Sequence, residues 1–248
     1  VRLLAELGAN VNTPANDGAT PAFVAAQEGH VEVVRVLAEL GANVNAPKND
    51  GATPAYIAAQ NGHLKVVRVL AELGASVNTP MNNGCTPAFI AAEMGPLEVL
   101  RLLAELGANV DTPANDDATP ACIAAENGHL EVVRLLAELG ANVGTPMNNG
   151  CTPTYIAAQN GHVEVVRVLA KLGADVKTPM NDGRTPAWIA ALEGHTEVVR
   201  LLAELGANVN TPNNNGTTPA YFAAHNGHVK GARLLAALGA DLQTPRSN

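Results

Sequence analysis

Residues 20–41 read Thr20-Pro21-Ala22-Phe23-Val24-Ala25-Ala26-Gln27-Glu28-Gly29-His30-Val31-Glu32-Val33-Val34-Arg35-Val36-Leu37-Ala38-Glu39-Leu40-Gly41. Thr20 can cap the free N–H groups of a helix start, and Pro21 fits the first helical position, where no N–H is missed. The small apolar run Ala22 to Gln27 lets a second helix lie close against it. Gly29 stops this first helix, because glycine accepts the left-handed conformation of a C-terminal cap. His30 opens a second helix, in which Val33, Val34, Leu37 and Leu40 form an apolar stripe at helical spacing. Gly41 stops that one. The stretch to Thr53 carries Pro47 and then Asn49-Asp50-Gly51, a turn signal whose Gly supplies positive φ. The pattern is helix, tight turn, helix, projecting turn.

The same pattern fills the chain. Thr-Pro recurs at Thr20, Thr53, Thr86, Thr119, Thr152, Thr185 and Thr218, always 33 residues apart. A fixed period of this size is the signature of stacked repeats rather than a globule. Residues 1–248 therefore read as one domain: a partial unit over 1–19, then units 20–52, 53–85, 86–118, 119–151, 152–184, 185–217 and 218–248. Of the 16 prolines, seven follow the helix-opening Thr, eight lie in the loops (Pro14 through Pro245), and Pro96 alone is extra. Of the 23 glycines, only Gly144 and Gly231 fall outside helix ends and turns. Asp117 stands where other turns place Gly. Such agreement between local choices marks a well-specified fold. Pro96, Asp117, Gly231 and the free cysteines also argue against an idealised designed array.

Composition excludes several function classes. Hydrophobic content of 47% with 3% aromatics implies a core of Ala, Val, Leu and Ile between closely stacked helices. No apolar stretch approaches the roughly 18 residues that suggest a membrane span, so no membrane is expected as a partner. The net charge of −8 argues against nucleic acid, whose binders need a basic stripe. Cys85, Cys122 and Cys151 are too few and too scattered for a disulfide framework, which points to an intracellular, cytoplasmic setting. The chain starts at Val1, without Met and halfway through a unit, as expected of a fragment, so a missing leader carries no weight.

The run Gly51-Ala52-Thr53-Pro54-Ala55-Tyr56-Ile57-Ala58-Ala59-Gln60-Asn61-Gly62-His63, with Val66-Val67 and Leu73-Gly74-Ala75-Ser76-Val77-Asn78, resembles the ankyrin repeat. The resemblance spans the whole chain. It implies an all-α solenoid of stacked helix–turn–helix units with projecting β-turn fingers. In that family first helices line a concave groove and second helices form the convex back. One departure is systematic: the family has Leu-His after Thr-Pro, whereas here Ala is followed by Phe23, Tyr56, Phe89, Cys122, Tyr155, Trp188 or Tyr221. The register could stack a ligand, but the favoured reading is that each ring fills the volume left by the small Ala and packs between units.

Chemistry finds little support. His30, His63, His129, His162, His195 and His228 form a periodic column with at most one member per unit, broken by Pro96 in unit 86–118. Packed helices lie roughly 8–10 Å apart, whereas a metal needs ligand atoms about 2 Å away. The column therefore reads as structural, and neither metal nor cofactor is expected. No Ser-His-Asp set or phosphate-cradling loop appears, so catalytic residues are not expected either. Arg2, Arg35, Arg68, Arg101, Arg134, Arg167, Arg200 and Arg233 ladder the second helices, but most have Glu three before or four after, as Glu32 and Glu39 flank Arg35. Such pairs solvate a helix surface. Second helices carry 11 basic residues and 11 Glu, which leaves 12 acids and 4 bases on first helices, turns and loops.

The expected function is a monomeric, non-enzymatic protein-interaction scaffold whose partner is basic or polar at its contact surface. Candidate contacts are the residue pairs at first-helix ends: Gln27 and Glu28, Glu93 and Met94, Glu126 and Asn127, Leu192 and Glu193, His225 and Asn226. Fingertip candidates are Asn16, Asp17, Asn82, Cys85, Met147, Asn181 and Arg184. The alternative is a structural spacer without a dedicated partner, supported by the near-constant Asn-Asp-Gly or Asn-Asn-Gly of the fingers.

Overall fold

The computed structural model describes residues 1–240. Pro245, together with the end of the last unit (241–248), lies outside the described residues. Within them every element is a helix. A short α1 (Arg2–Glu6) comes first. First helices are α2 (Pro21–Gln27), α4 (Pro54–Gln60), α6 (Pro87–Met94), α8 (Pro120–Glu126), α10 (Pro153–Gln159), α12 (Pro186–Leu192) and α14 (Pro219–His225). Second helices are α3 (Val31–Glu39), α5 (Leu64–Glu72), α7 (Leu97–Glu105), α9 (Leu130–Glu138), α11 (Val163–Lys171), α13 (Thr196–Glu204) and α15 (Val229–Ala237). Two compact units form, one over Val1–Pro120 and one from Ala121 on.

Local chemistry sets these boundaries. Thr20, Thr53, Thr86, Thr152, Thr185 and Thr218 each accept, on Oγ1, the N–H three residues on, as Thr86 does from Phe89 at 3.1 Å. The glycines that the pattern puts at helix ends and turns all have positive φ, while Gly144 and Gly231 do not. Asp117, at φ 67°, is the one described non-glycine residue in that region. First helices typically close with the His N–H reaching back to the last Ala pair, as His63 N–H donates to Ala58 C=O at 2.9 Å. Pro96 has no N–H to give. There Gly95 donates to Ala91 C=O instead, and α6 runs one residue longer than its counterparts.

Inside each unit first helices pack on first helices and second on second: α2 on α4 on α6, α3 on α5 on α7, α10 on α12 on α14, and α9 on α11 on α13 on α15. The core is built accordingly. Ala58 and Ala59 bury completely against the neighbours of α4, while α5 buries Val66, Val67, Val69 and Leu70. Each such branched side chain contributes about 1.5–3 kcal/mol of apolar burial.

The aromatic register belongs to this core. Phe23, Tyr56, Phe89, Cys122, Tyr155 and Trp188 are buried, and Tyr221 is half-buried. They fill space between repeats and present no ladder to a ligand. Trp188 also donates its Nε1–H to Thr217 C=O at 2.8 Å, and its ring meets Phe222 edge-on at 4.9 Å. Burial, above all, holds the Tyr56 phenol far above its usual range and pushes Tyr155 up to about 12.

Candidate functional site

Each finger is a β-turn closed on itself. In the finger at 81–85, Gly84 N–H donates to Met81 C=O at 2.9 Å and Met81 N–H to Cys85 C=O at 2.9 Å, with Gly84 at φ 86°. Adjacent fingers are tied by asparagine. Asn82 N–H donates to Asp50 C=O at 2.9 Å, while its Nδ2 donates to Asn49 C=O at 3.0 Å. Asn49, Asn115, Asn181 and Asn214 repeat the pair of bonds within their own units. The approach is close: a Cβ on Gly51 would lie 2.7 Å from the Asn82 backbone nitrogen. The constancy of the Asn-x-Gly tips therefore has a structural cause. Asn82 and Asn181 are exposed, but their amides already hold the preceding finger.

The remaining fingertip candidates divide. Asn16 and Asp17 are exposed, and Asp17 pairs with Lys48 of the next finger at 3.1 Å. Its carboxyl sits below the usual value, first because the Ala19 N–H donates to it and then because of Lys48. Met147 is half-buried. Half-buried Arg184 is held by Asp182 at 2.7 Å and lies over the Trp188 ring. Cys85 does not belong to the surface: it follows the turn and points inward, and burial raises its thiol pKa.

The first-helix ends form the second row. Gln27, Glu28, Met94, Glu126, Asn127, Glu193, His225 and Asn226 are exposed, whereas Glu93 and Leu192 are half-buried. The histidine column braces this row. Nε2 of His63, His162, His195 and His228 lies 2.9 Å from the carbonyl of Gln27, Glu126, Gln159 and Leu192, respectively. Asn61 and Asn226 add Nδ2–H donors to the Gln27 and Leu192 carbonyls. No group of three or more His, Cys, Asp or Glu suited to a metal occurs among the described residues. A helix pair every 33 residues, Thr-Pro caps, asparagine-tied fingers and a histidine brace now stand together. The family model for ankyrin repeats (3 copies) matches residues 1–48, 44–114, 110–180 and 175–246.

The chain belongs to the ankyrin-repeat family. Among solved structures it is similar to the ankyrin repeat domain of human ASB11, with 30% identity and a TM-score of 0.80, covering 87% of this chain and 97% of that one. Comparison with curated proteins finds no match. Ankyrin repeats are in general protein–protein interaction modules, and the family is typically non-enzymatic. No helix among the described residues is long and apolar enough to cross a membrane.

The second helices of this ankyrin-repeat chain carry the arginine ladder, and its pairing differs between the two units. Arg134, Arg167 and Arg200 pair with the Glu three residues before, at 3.3–3.4 Å. In the first unit Arg2 pairs with Glu39 and Arg35 with Glu72 at 3.0 Å, one repeat ahead rather than within the helix. The flanking rule missed these. Exposed pairs of either kind contribute about 0–1 kcal/mol.

Sequence reasoning also missed Gln60. Its backbone carbonyl stands where Gln27 and Leu192 each receive two donors, yet Pro96 and Met94 occupy the donor positions and can supply none. The signal was visible as the one break in the histidine column.

Proposed function

We propose that this chain is a non-enzymatic scaffold that binds a protein partner along its first-helix ends and fingers. The supporting observation is the distribution of charge. Ion pairs engage Arg2, Arg35, Arg134, Arg167 and Arg200 on the second helices. The acidic excess of 12 against 4 bases lies elsewhere, on first helices, turns and loops. The partner is accordingly basic or polar where it touches, and the chain acts as a monomer. The spacer reading rested on uniform fingers, and the asparagine ties between them supply a structural reason for that uniformity.

The test is capture of a partner from the source cell by this chain, beside a variant with Gln27, Glu28, Glu126, Asn127, His225 and Asn226 changed to Ala. Capture should fall in the variant and weaken as salt rises from low to physiological strength, because long-range attraction is screened over about 8–10 Å. Binding that ignores ionic strength, or that maps to the second-helix arginines, would overturn the proposal.

A further inference from the structure

Between the ends of α4 and α6 the histidine brace is interrupted. At the junctions of Gln27 with His63, Glu126 with His162, Gln159 with His195 and Leu192 with His228, an imidazole fills the gap between repeats and meets a carbonyl at 2.9 Å. The ring sits hard against the preceding glycine: a Cβ on Gly29, Gly128, Gly161 or Gly194 would come within 2.6–2.9 Å of it. At Gly62 the nearest atom to such a Cβ is Pro96 Cβ, 3.8 Å away. Proline is shorter than histidine and carries no donor. The place an imidazole takes elsewhere is thus left empty, as part of a wider open notch of about 720 Å³ lined by Gln60, Asn61, Gly62, His63, Met94, Gly95 and Pro96.

Three properties of the notch select its occupant. The Gln60 carbonyl closes the C-terminal end of α4, where the helix macrodipole is negative, and it has no donor from residue 94 or 96. Met94, 52% exposed, forms an adaptable apolar wall. No carboxylate lines the notch itself, but Glu93 immediately precedes Met94 and the unit as a whole is acidic on this side. Outside its second helices the Val1–Pro120 unit carries Asp17, Glu28, Asp50, Glu93, Asp111, Asp116 and Asp117 against Lys48 alone. A planar, cationic N–H donor on an apolar stem matches all three.

We propose that this notch receives an arginine side chain of the protein partner. The guanidinium donates to the Gln60 carbonyl in the plane that the imidazole takes elsewhere, and its methylene stem lies along Met94 and Pro96. Lysine offers a compact ammonium without the flat face, and fits less well. This rests on the scaffold reading but is tested apart from it.

The probe is N-acetyl-arginine-N-methylamide, titrated into the full 248-residue chain while backbone amide and methionine methyl NMR signals are followed. For so small a ligand, saturable shifts in the roughly millimolar range are expected at Gln60, Asn61, Gly62 and Met94. The lysine and citrulline analogues should shift them several-fold less. Pro96→His refills the notch and should abolish the shifts, while Pro96→Ala, which restores a backbone N–H but adds no side-chain donor to the notch, should keep them. Circular dichroism verifies that both variants are folded. Absence of saturable shifts up to about 50 mM, equal response to citrulline, or persistence in Pro96→His would each overturn the proposal. Capture of a protein partner by the wider surface would not rescue it from any of these three results.

Discussion

Changing Gly144 to Asn should stabilise the protein by about 2 kcal/mol. In the first unit Asn12, Asn45 and Asn78 bridge to the next repeat. Asn45 Nδ2 donates to Gly74 C=O at 3.3 Å and its Oδ1 accepts from Ser76 N–H at 2.8 Å, with Asn12 and Asn78 repeating the bonds. Gly144 holds the equivalent position and faces Gly173 and Asp175 with no side chain to offer. Its φ is not positive, and an added Cβ would meet only Ala174 and Asn142 at an ordinary 3.6 Å. Stiffening the unfolded chain by removing glycine gives about 0.4–1 kcal/mol. Two hydrogen bonds give about 0.5–1.5 kcal/mol each, against about 1 kcal/mol to immobilise the amide. Gly144→Ala isolates the first contribution, so the informative quantity is the difference between the Asn and Ala variants, about 1 kcal/mol. Urea unfolding followed by circular dichroism reads it, and the Asp175 amide should exchange more slowly in the Asn variant alone. An Asn variant no more stable than the Ala variant, with Asp175 exchange unchanged, would refute the reasoning.

Thr154 is buried where other repeats place Ala, and its Oγ1 has no hydrogen-bond partner. Thr154→Ala should raise the unfolding midpoint by the equivalent of about 1 kcal/mol, and a loss would show that the hydroxyl is satisfied. Asp117→Gly should be neutral or stabilising by up to about 1 kcal/mol, because Asp at φ 67° carries left-handed strain that Gly does not. A clear drop in midpoint would count against that strain. Helix α15 buries only Gly231 and Leu235, whereas α9 buries Val132, Val133, Leu135 and Leu136. Amides of Val229 to Leu238 should therefore exchange faster than those of Val132 to Leu139, and the reverse order would contradict the burial argument. The Cys151 thiol is pushed up to about 11, first by burial. A raised folded value means that the unfolded thiol ionises first, so stability should fall as pH climbs from the unfolded value of about 8.5 towards 11. Cys151→Ala should flatten that decline, measured as midpoint against pH.

The 33-residue register, helix limits, Thr-Pro caps and glycine turns were all legible in the chain. Each depends on contacts within about four residues, where propensity and capping act without help from the fold. The strain at Asp117 could be read for the same reason. Stacking decided what local windows do not contain. Arg35 meets Glu72 at a separation of 37 residues, Asn82 holds Asn49 at 33, Asn45 reaches Gly74 at 29, and His63 reaches Gln27 at 36. Whether an asparagine is a fingertip contact or a tie between fingers depends on where the next repeat places its carbonyl. The same holds for Cys85, which sequence position puts beside the turn and packing turns inward. Pro96 shows both levels at once. The sequence revealed that a histidine was replaced, and only the stacked repeats revealed that the replacement opens a notch beside the Gln60 carbonyl, because that carbonyl comes from the repeat before.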